Sequence, residues 1–595
     1  MKKISIFTVS LFILFISFSC QDFLLEESES SFTTATLFET TEGLDKMVVA
    51  LYDHERARMG QGNSFVGAYL FGERTTDLNV FFTGDDANLS RYTSPGPTSN
   101  IRGLLYSPFW SHRYYQIGRT NEIIHYGRLL GNEAEDVVAE ASFWRAYNYY
   151  GLYSRFSRLY LDTVPVTKDN LDELSFTPAA TEDIFNLMHS DLNRAIAGLS
   201  QTPKNNMTGR ITRATAHHLK ALVAAWQEDW ATVAAHVDSV YNDPNFFLVP
   251  DPANIFNRSD LTTSETLFAI KFSNERGGGS GHRVGSQYVN AIAEETYTHQ
   301  PNARYNLENL GRQWALSLPN SYLMSLYPEN DARLSAYYKR YYTYQNPNAL
   351  ITVPPAILFT DPDTGSEFYT TTNFTDQPYQ VQIGDTIYGR DVYMATGGTT
   401  RFLPRRILPS SLKQVDIWTK LLDSDGGSAN FKDLMVYRLA ETFLLGAEAY
   451  MHLGDQGKAR YYYNKTWTRG GNPEETGMIT FDMIRDEHAR ELAFEGRRFE
   501  FLKRTGIWYD QMRSYAGDFT KFPGPSVPYS ASSYGLGDGR DPDFGPNPDY
   551  YFDMAGSDND VLVRFNVQPI HVNWPIPQDQ IDAMGPENFP QTEGY

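Results

Sequence analysis

Apolar residues recur with helical spacing from about Leu37 onward. Between Glu42 and Arg58 they fall at Leu44, Met47, Val48 and Leu51, three, one and three apart, which lines them along one face and predicts the first long helix. Three later segments have helix-turn-helix character: Ala141 to Tyr160 (ASFWRAYNYYGLYSRFSRLY), Ile211 to Tyr241 (ITRATAHHLKALVAAWQEDWATVAAHVDSVY) and Tyr437 to Trp467 (YRLAETFLLGAEAYMHLGDQGKARYYYNKTW). The last two overlay at a constant offset. Ala221 falls on Ala447, Val223 on Ala449 and Asp229 on Asp455, each aspartate standing where one helix closes and the next opens. Alanines at such a crossing let two helices approach closely while a neighbouring aromatic fills the groove, the packing of tetratricopeptide-like repeats. Because the repeats are degenerate and scattered, they predict a helical scaffold with long insertions rather than an open solenoid.

The insertions are Pro250 to Asn274, Asn346 to Arg405 and Phe522 to Val561, rich in Pro, Gly, Asp, Asn and Thr. Alternation such as Gln380-Val381-Gln382-Ile383 predicts short strands within them. The expected fold class is mainly α, a tetratricopeptide-like scaffold with loop-rich insertions and a few short strands. Loops this long inside a folded unit usually carry binding. No Pro/Ser-rich or Gly/Ser-rich linker divides the chain, so residues 37–595 are expected to form one globular unit, with an N-terminal part to about 245 and a C-terminal part from about 265.

Ahead of the first helix the pattern changes. Met1-Lys2-Lys3 is a short positive start, and Ile4 to Ser19 is apolar but too short and serine-rich to span a bilayer, which marks residues 1–19 as a secretory signal peptide. Cys20, the single cysteine of 595 residues, stands where that run stops. With Ser17-Phe18-Ser19 before it, the site resembles a bacterial lipoprotein cleavage box, although the usual Leu at its start is missing. Cutting there leaves a thiol and an amine to be acylated, and two or three acyl chains anchor stably where one is marginal. Residues 20–36 then form an acidic and polar tether. The competing reading is a soluble secreted protein whose signal contains a cysteine.

Loss of the signal removes two lysines and moves the formal charge from -21 to -23. A surface that acidic repels phosphate backbones and anionic lipid heads, which excludes nucleic acid as an expected partner and leaves the tether as the membrane contact. Tyr (39) outnumbers Phe (37), and tyrosine joins a flat apolar face to a polar edge, which suits a surface that grips amphipathic ligands.

Catalytic motifs are missing from the sequence: there is no Gly-x-Ser-x-Gly elbow, no His-Glu-x-x-His pair and no phosphate loop. Gly277-Gly278-Gly279-Ser280-Gly281 lacks the Lys-Ser/Thr of a phosphate loop and reads as a loop. His217 and His218, adjacent on a helix, diverge by about 100° and suit one packed and one exposed ring better than a shared metal. Asp361 to Glu367 alternates oxygen donors around Gly365 but lacks a full calcium loop, so turn chemistry accounts for it and no metal or cofactor is expected. In the run Arg485 to Arg504, Glu487, Glu491 and Glu495 are spaced by four, with Arg490, Arg497 and Arg498 near enough to neutralise them. An ion-paired structural helix is expected there rather than an acid/base site. A glycoside hydrolase remains a rival reading, because two carboxylates at the right separation cannot be recognised by spacing among 72 acids.

Several motifs, in order, resemble the SusD/RagB family of surface lipoproteins. Cys20-Gln-Asp-Phe-Leu-Leu-Glu resembles the anchored start, and Trp110 to Asn121 (WSHRYYQIGRTN) the W-x-x-x-Y-x-x-I-x-R-x-N helix. Phe143-Trp-Arg-Ala-Tyr-Asn-Tyr-Tyr is similar to the aromatic-rich repeat helix, and Tyr437 to Ala449 to the R-x-A-E-x-x-L-x-x-A-E-A signature. Glu491-Leu-Ala-Phe-Glu-Gly-Arg-Arg-Phe matches E-L-A-F-E-G-x-R. Trp574-Pro-Ile-Pro and Gln591-Thr-Glu-Gly-Tyr595 resemble the W-P-I-P and Q-N-P-G-Y ending, with Thr-Glu in place of Asn-Pro.

The resemblance implies a non-catalytic receptor, lipid-anchored at Cys20 to the outer membrane and exposed at the cell surface. It would capture oligosaccharide or polysaccharide and deliver it to a SusC-like TonB-dependent transporter. Ligand residues carry over by segment: Tyr69, Asp77 and Asn79 in one, Tyr297 and Trp314 in the other. A sugar presents C–H faces and hydroxyl edges, so an aromatic platform rimmed by Asp or Asn suits it. A helical protein-interaction scaffold without glycan binding is the second rival.

Overall fold

The computed structural model describes residues 37–60, 75–81, 106–166, 176–273, 284–288, 317–344, 375–388, 409–416, 431–516 and 567–595, together with 275, 281–282, 310, 352–353, 355, 358–360, 367–369 and 373. The main helices among them are α1 (Thr41–Gly60), α2 (Ser107–Leu130), α3 (Glu135–Tyr153), α4 (Thr181–Gly198), α5 (Arg213–Trp226), α6 (Trp230–Tyr241), α7 (Leu439–His452), α8 (Gln456–Trp467), α9 (Phe481–Leu492), α10 (Arg498–Arg504) and α11 (Trp508–Tyr515). In α1 the expected stripe is the buried one: Leu44, Val48 and Leu51 enter the core and Met47 packs at its edge.

The two overlaid segments fold as helical hairpins, α5–α6 and α7–α8. Both aspartates act as predicted. Asp229 accepts a hydrogen bond from the Thr232 backbone at 3.1 Å, and Asp455 one from Lys458 at 3.0 Å, each serving a first-turn N–H that the helix itself leaves unpaired. Although residues 242–438 separate the hairpins in sequence, α6 packs on α7, so the scattered repeats become neighbours in a tetratricopeptide-like stack. Gly446 sits at that crossing. A Cβ there would lie 2.8 Å from Val237 and 3.0 Å from the Tyr462 ring, so only glycine admits this approach. Asp238 of α6 then accepts the hydroxyls of Tyr450 (2.6 Å) and Tyr462 (2.5 Å), locking one hairpin to the other.

One expected hairpin is a single helix. After α3 ends at Tyr153, residues 154–162 run without a second helix. The C-terminus takes up their backbone groups instead: Trp574 donates its N–H to the Arg155 carbonyl (2.8 Å) and bridges Phe156, while the Tyr149 and Tyr114 hydroxyls accept from the N–H groups of Asp162 and Tyr160. The Trp574 ring packs edge-on against Phe109 and Phe156. Gln591 closes the terminal segment onto Ile576, accepting from its N–H (2.7 Å) and donating to its carbonyl (2.8 Å). The W-P-I-P and Q-T-E-G-Y segments thus dock as one unit against the aromatic face of α2.

Strands form short two-stranded ladders. β1 (Asn79–Phe81) pairs antiparallel with β3 (Ser317–Pro319), and β2 (Thr266–Ile270) with β4 (Leu434–Arg438). In the loop-rich region Thr352–Val353 pairs with Tyr379–Gln380, and Leu358–Thr360 with Glu367–Tyr369. The strand expected over 380–383 stops at Gln380, because Gly384, at φ 100°, and Asp385, accepting the Gln382 N–H at 2.6 Å, turn the chain. The signal, Cys20, the tether, residues 277–280, residues 361–366 and the 522–561 insertion lie outside the described residues. No helix among the described residues is long and apolar enough to cross a membrane.

Candidate functional site

The E-L-A-F-E-G-R-R signature explains itself once folded. α9 ends at Leu492, and the chain breaks through two left-handed residues, Phe494 (φ 65°) and Gly496 (φ 77°), before α10 begins at Arg498. The expected continuous helix is therefore two helices around a tight turn, held because Lys413 donates to the carbonyls of Glu491 (2.8 Å) and Ala493 (2.9 Å) and Gln414 bonds the Phe494 carbonyl.

The three glutamates face inward. Arg438 donates to Glu491 (2.7 Å), to both oxygens of Glu495 (2.6 and 2.8 Å) and to Glu265 (2.7 Å). Arg333 reaches Glu487 (2.6 Å), Glu491 (2.9 Å) and Asp331. Arg469 binds Glu265 (2.6 Å) and Glu491, and Arg490 binds Glu487 (2.7 Å). Of the neutralising partners expected from spacing, Arg490 fills that role; the rest come from elements far along the chain. Burial alone would raise the Glu491 carboxyl, yet Arg469, Arg438 and Arg333 hold it well below its ordinary value. These carboxylates are counter-ions, spent on neighbours and closed to a substrate.

Arg497 and Arg498, adjacent in sequence, serve opposite sides. Arg497 pairs with Glu441 (2.9 Å) and Glu500 (2.7 Å), and Glu441 also takes His218, the packed member of the histidine pair. Arg498 donates twice to Asp77, at 2.9 and 2.7 Å, with both side chains fully buried. That pair ties the segment before β1 to the helical body. Trp508 adds a bond from its indole N–H to the Thr75 carbonyl (2.8 Å). Asn320, which caps the short helix Ser321–Ser325, donates to the carbonyls of Asp77 and Tyr515, both at 2.7 Å.

Of the expected ligand residues, Tyr69, Tyr297 and Trp314 lie outside the described residues. Asp77 and Asn79 are described, and both are buried. At 0% and 3% exposure they sit beneath the surface, Asp77 as the counter-ion of Arg498 and Asn79 on β1 opposite Pro319. The β1·β3 ladder nonetheless joins the two segments expected to bind, since β3 begins three residues after Trp314 and Asp77 lies two before β1. Sequence reasoning missed Arg498, Asn320 and Trp508 as the platform under this junction. Spacing assigns Arg498 to the signature glutamates, since Glu495 lies three residues before it, whereas its partner in the fold is Asp77, 421 residues away.

Buried and half-buried histidines contribute to the pH response, His217 being one of the half-buried ones. Burial pushes His112 down to about 4 although Glu55 lies 2.7 Å away, His217 and His571 also to about 4, and His488 well below its ordinary 6.5. Their folded values lie under the unfolded 6.5, so the unfolded chain binds more protons between about 4 and 6.5 and stability falls as pH drops through that window. For Glu55 and Glu441 burial opposes charge, but Arg113 and Arg497 respectively bring each down to about 2; their contribution is present above about 4.5 and is lost below it. Thermal unfolding at constant ionic strength should show a midpoint lower by several degrees at pH 5.5 than at pH 7.5, steepening below 4.5. A flat profile above pH 5 would contradict these assignments.

A family model described as the SusD family matches residues 264–595, and one described as "Starch-binding associating with outer membrane" matches residues 22–223. SusD-like protein P2 of Formosa agariphila is 23% identical over 515 residues, covering 83% of this chain and 87% of its own. Among solved structures, a SusD homolog from Bacteroides thetaiotaomicron aligns with a TM-score of 0.65 at 18% identity, over 94% of this chain and 99% of its own. Surface glycan-binding protein A from the same organism, in complex with laminarihexaose, aligns with a TM-score of 0.57 at 17% identity, over 93% and 99%.

Proposed function

The chain belongs to the SusD family, whose model matches more than half of it, and on that premise we propose that it is a cell-surface lipoprotein that binds oligosaccharide or polysaccharide and delivers it to a SusC-like TonB-dependent transporter of the outer membrane. The observation that carries the reading is the β1·β3 junction, where two segments expected to line a ligand meet over a platform of Asp77, Arg498, Asn320 and Trp508. A buried scaffold that positions the binding segments is how folds commonly present a binding face. Tyr69, Tyr297 and Trp314 are the proposed contacts, and a complex of a structural neighbour with laminarihexaose supports a glucan-type oligosaccharide as the ligand class. The reading includes no turnover, consistent with signature carboxylates committed to arginines.

Isothermal titration against a panel of purified polysaccharides, with chromatography of the mixture afterwards, tests it. Heat of binding to at least one glycan without new reducing ends is expected, and Trp314→Ala should weaken that binding. Product formation would replace the receptor with a glycoside hydrolase. Absence of glycan binding together with a co-purifying barrel would leave a protein-binding scaffold. Anchoring is tested by Cys20→Ala, which should move the protein from the cell surface to the periplasm or leave it as uncleaved precursor. A variant that stays at the surface would remove the lipid tether.

A further inference from the structure

A cavity of about 60 Å³ lies where α2 and α3 meet β4 and the Gly496 turn, room for an ion and a few waters. Its wall combines the Phe109, Tyr147 and Tyr437 rings with the guanidinium groups of Arg113, Arg155 and Arg497. Arg113 and Arg155 are 5% and 6% exposed, yet the Nε–H of each finds no acceptor. Their other nitrogens are engaged: Arg113 holds Glu55 and Asn148, and Arg155 holds Glu500 and Ser154. Gly151 borders the same space. A Cβ there would come within 3.3 Å of the Arg113 Nε, so the missing side chain leaves that donor open.

The cavity wall also includes the carboxylates of Glu495 and Glu500, and these, with Glu441 beside Arg497, are committed to neighbouring cations. Glu500 serves Arg155 and Arg497, Glu495 serves Arg438 and Lys413, and Glu55 serves Arg113 and His112. Arg58, next in sequence to the wall residue Met59, is buried with Nε and Nη2 unsatisfied and no ion pair among the described residues. The two unsatisfied donors among the wall residues, the Nε–H groups of Arg113 and Arg155, are cationic, and a buried cation favours an anionic acceptor over a neutral one.

We propose that this cavity binds a small inorganic anion of halide size, accepting from the Nε–H groups of Arg113 and Arg155 and held in the field of Arg497 and Arg58. Aromatic walls suit a weakly hydrated anion that gives up its water readily. Since Arg113 and Arg155 belong to the N-terminal half and Arg497 to the signature turn, the anion also fastens the two halves across their interface.

Unfolding of the purified protein in sodium chloride or bromide is compared with sodium gluconate, an anion too large for the space, at matched ionic strength. The halides should raise the unfolding temperature saturably, by several degrees, and bromide-soaked crystals should show an anomalous peak against both Nε atoms. Gly151→Ala, whose methyl covers the Arg113 donor, should lose most of the halide-dependent shift. If that variant does not fold, the salt comparison and the bromide peak on the parent protein decide. Equal unfolding temperatures in the two salts, ordered water without a bromide signal, or a full shift retained by folded Gly151→Ala would each overturn the proposal.

Discussion

Glu491→Ala should lower the free energy of unfolding by about 3–5 kcal/mol, the cost of leaving a buried charge without its partner. Three guanidinium groups, those of Arg333, Arg438 and Arg469, converge on this one carboxylate, and all of these side chains are 3% exposed or less. Removing it leaves the buried cluster one negative charge short, although Arg333 keeps Glu487 and Asp331, Arg438 keeps Glu265 and Glu495, and Arg469 keeps Glu265, and Tyr337 also loses its acceptor at 3.1 Å. Buried ion pairs often add little net stability against well-packed apolar residues, because desolvation offsets their attraction. The cluster instead links β2, β4, α9 and the turn to α10, through Glu265, Arg438, Glu491 and Glu495. Urea unfolding followed by circular dichroism measures the effect, and a loss under about 1 kcal/mol would show that the cluster relaxes around the gap.

The second large effect is expected at Asp77. Asp77→Asn keeps the shape of the side chain but leaves Arg498, wholly buried, facing an amide where it had a carboxylate at 2.7 and 2.9 Å. A loss of about 3–5 kcal/mol follows from the same reasoning, but its location differs. Asp77 and Arg498 are 421 residues apart, and their bond is a principal tie between the segment before β1 and the helices. The helical hairpins do not depend on it, so far-ultraviolet dichroism should stay close to the parent protein while protection of the Thr75–Phe81 backbone against hydrogen exchange falls. On the proposed function, glycan affinity should fall by roughly tenfold or more, equivalent to about 1.4 kcal/mol per decade. Unchanged exchange and unchanged binding would mean that the ladder alone positions this segment.

Much of the scaffold was legible along the chain. The stripe of Leu44, Val48 and Leu51, the overlay of Ala221 on Ala447, and the two capping aspartates each depend on residues within a turn or two of one another, where spacing translates directly into a shared face or a served N–H. The misread segment, 154–162, failed for the complementary reason. Its aromatic residues suit a helix as well as an extended stretch, and Trp574, more than 400 residues later, decided between them. The candidate site was legible as two segments but not as contacts, since Asp77 looks the same in sequence whether it meets a sugar or a guanidinium.

Sequence alone determined that the chain is mainly helical, built on tetratricopeptide-like hairpins with loop-rich insertions, and that its motifs are those of the SusD family. These properties are carried by local periodicity, caps and short ordered motifs, all read within a few residues. Tertiary structure alone decided that the glutamates of the signature are counter-ions, that Asp77 is the buried partner of Arg498, and that three arginines meet around a cavity. The physical reason is that charges pair by distance and shared burial. Which of many acids lies 3 Å from which arginine is set by how helices hundreds of residues apart come to pack, and spacing along the chain does not record it.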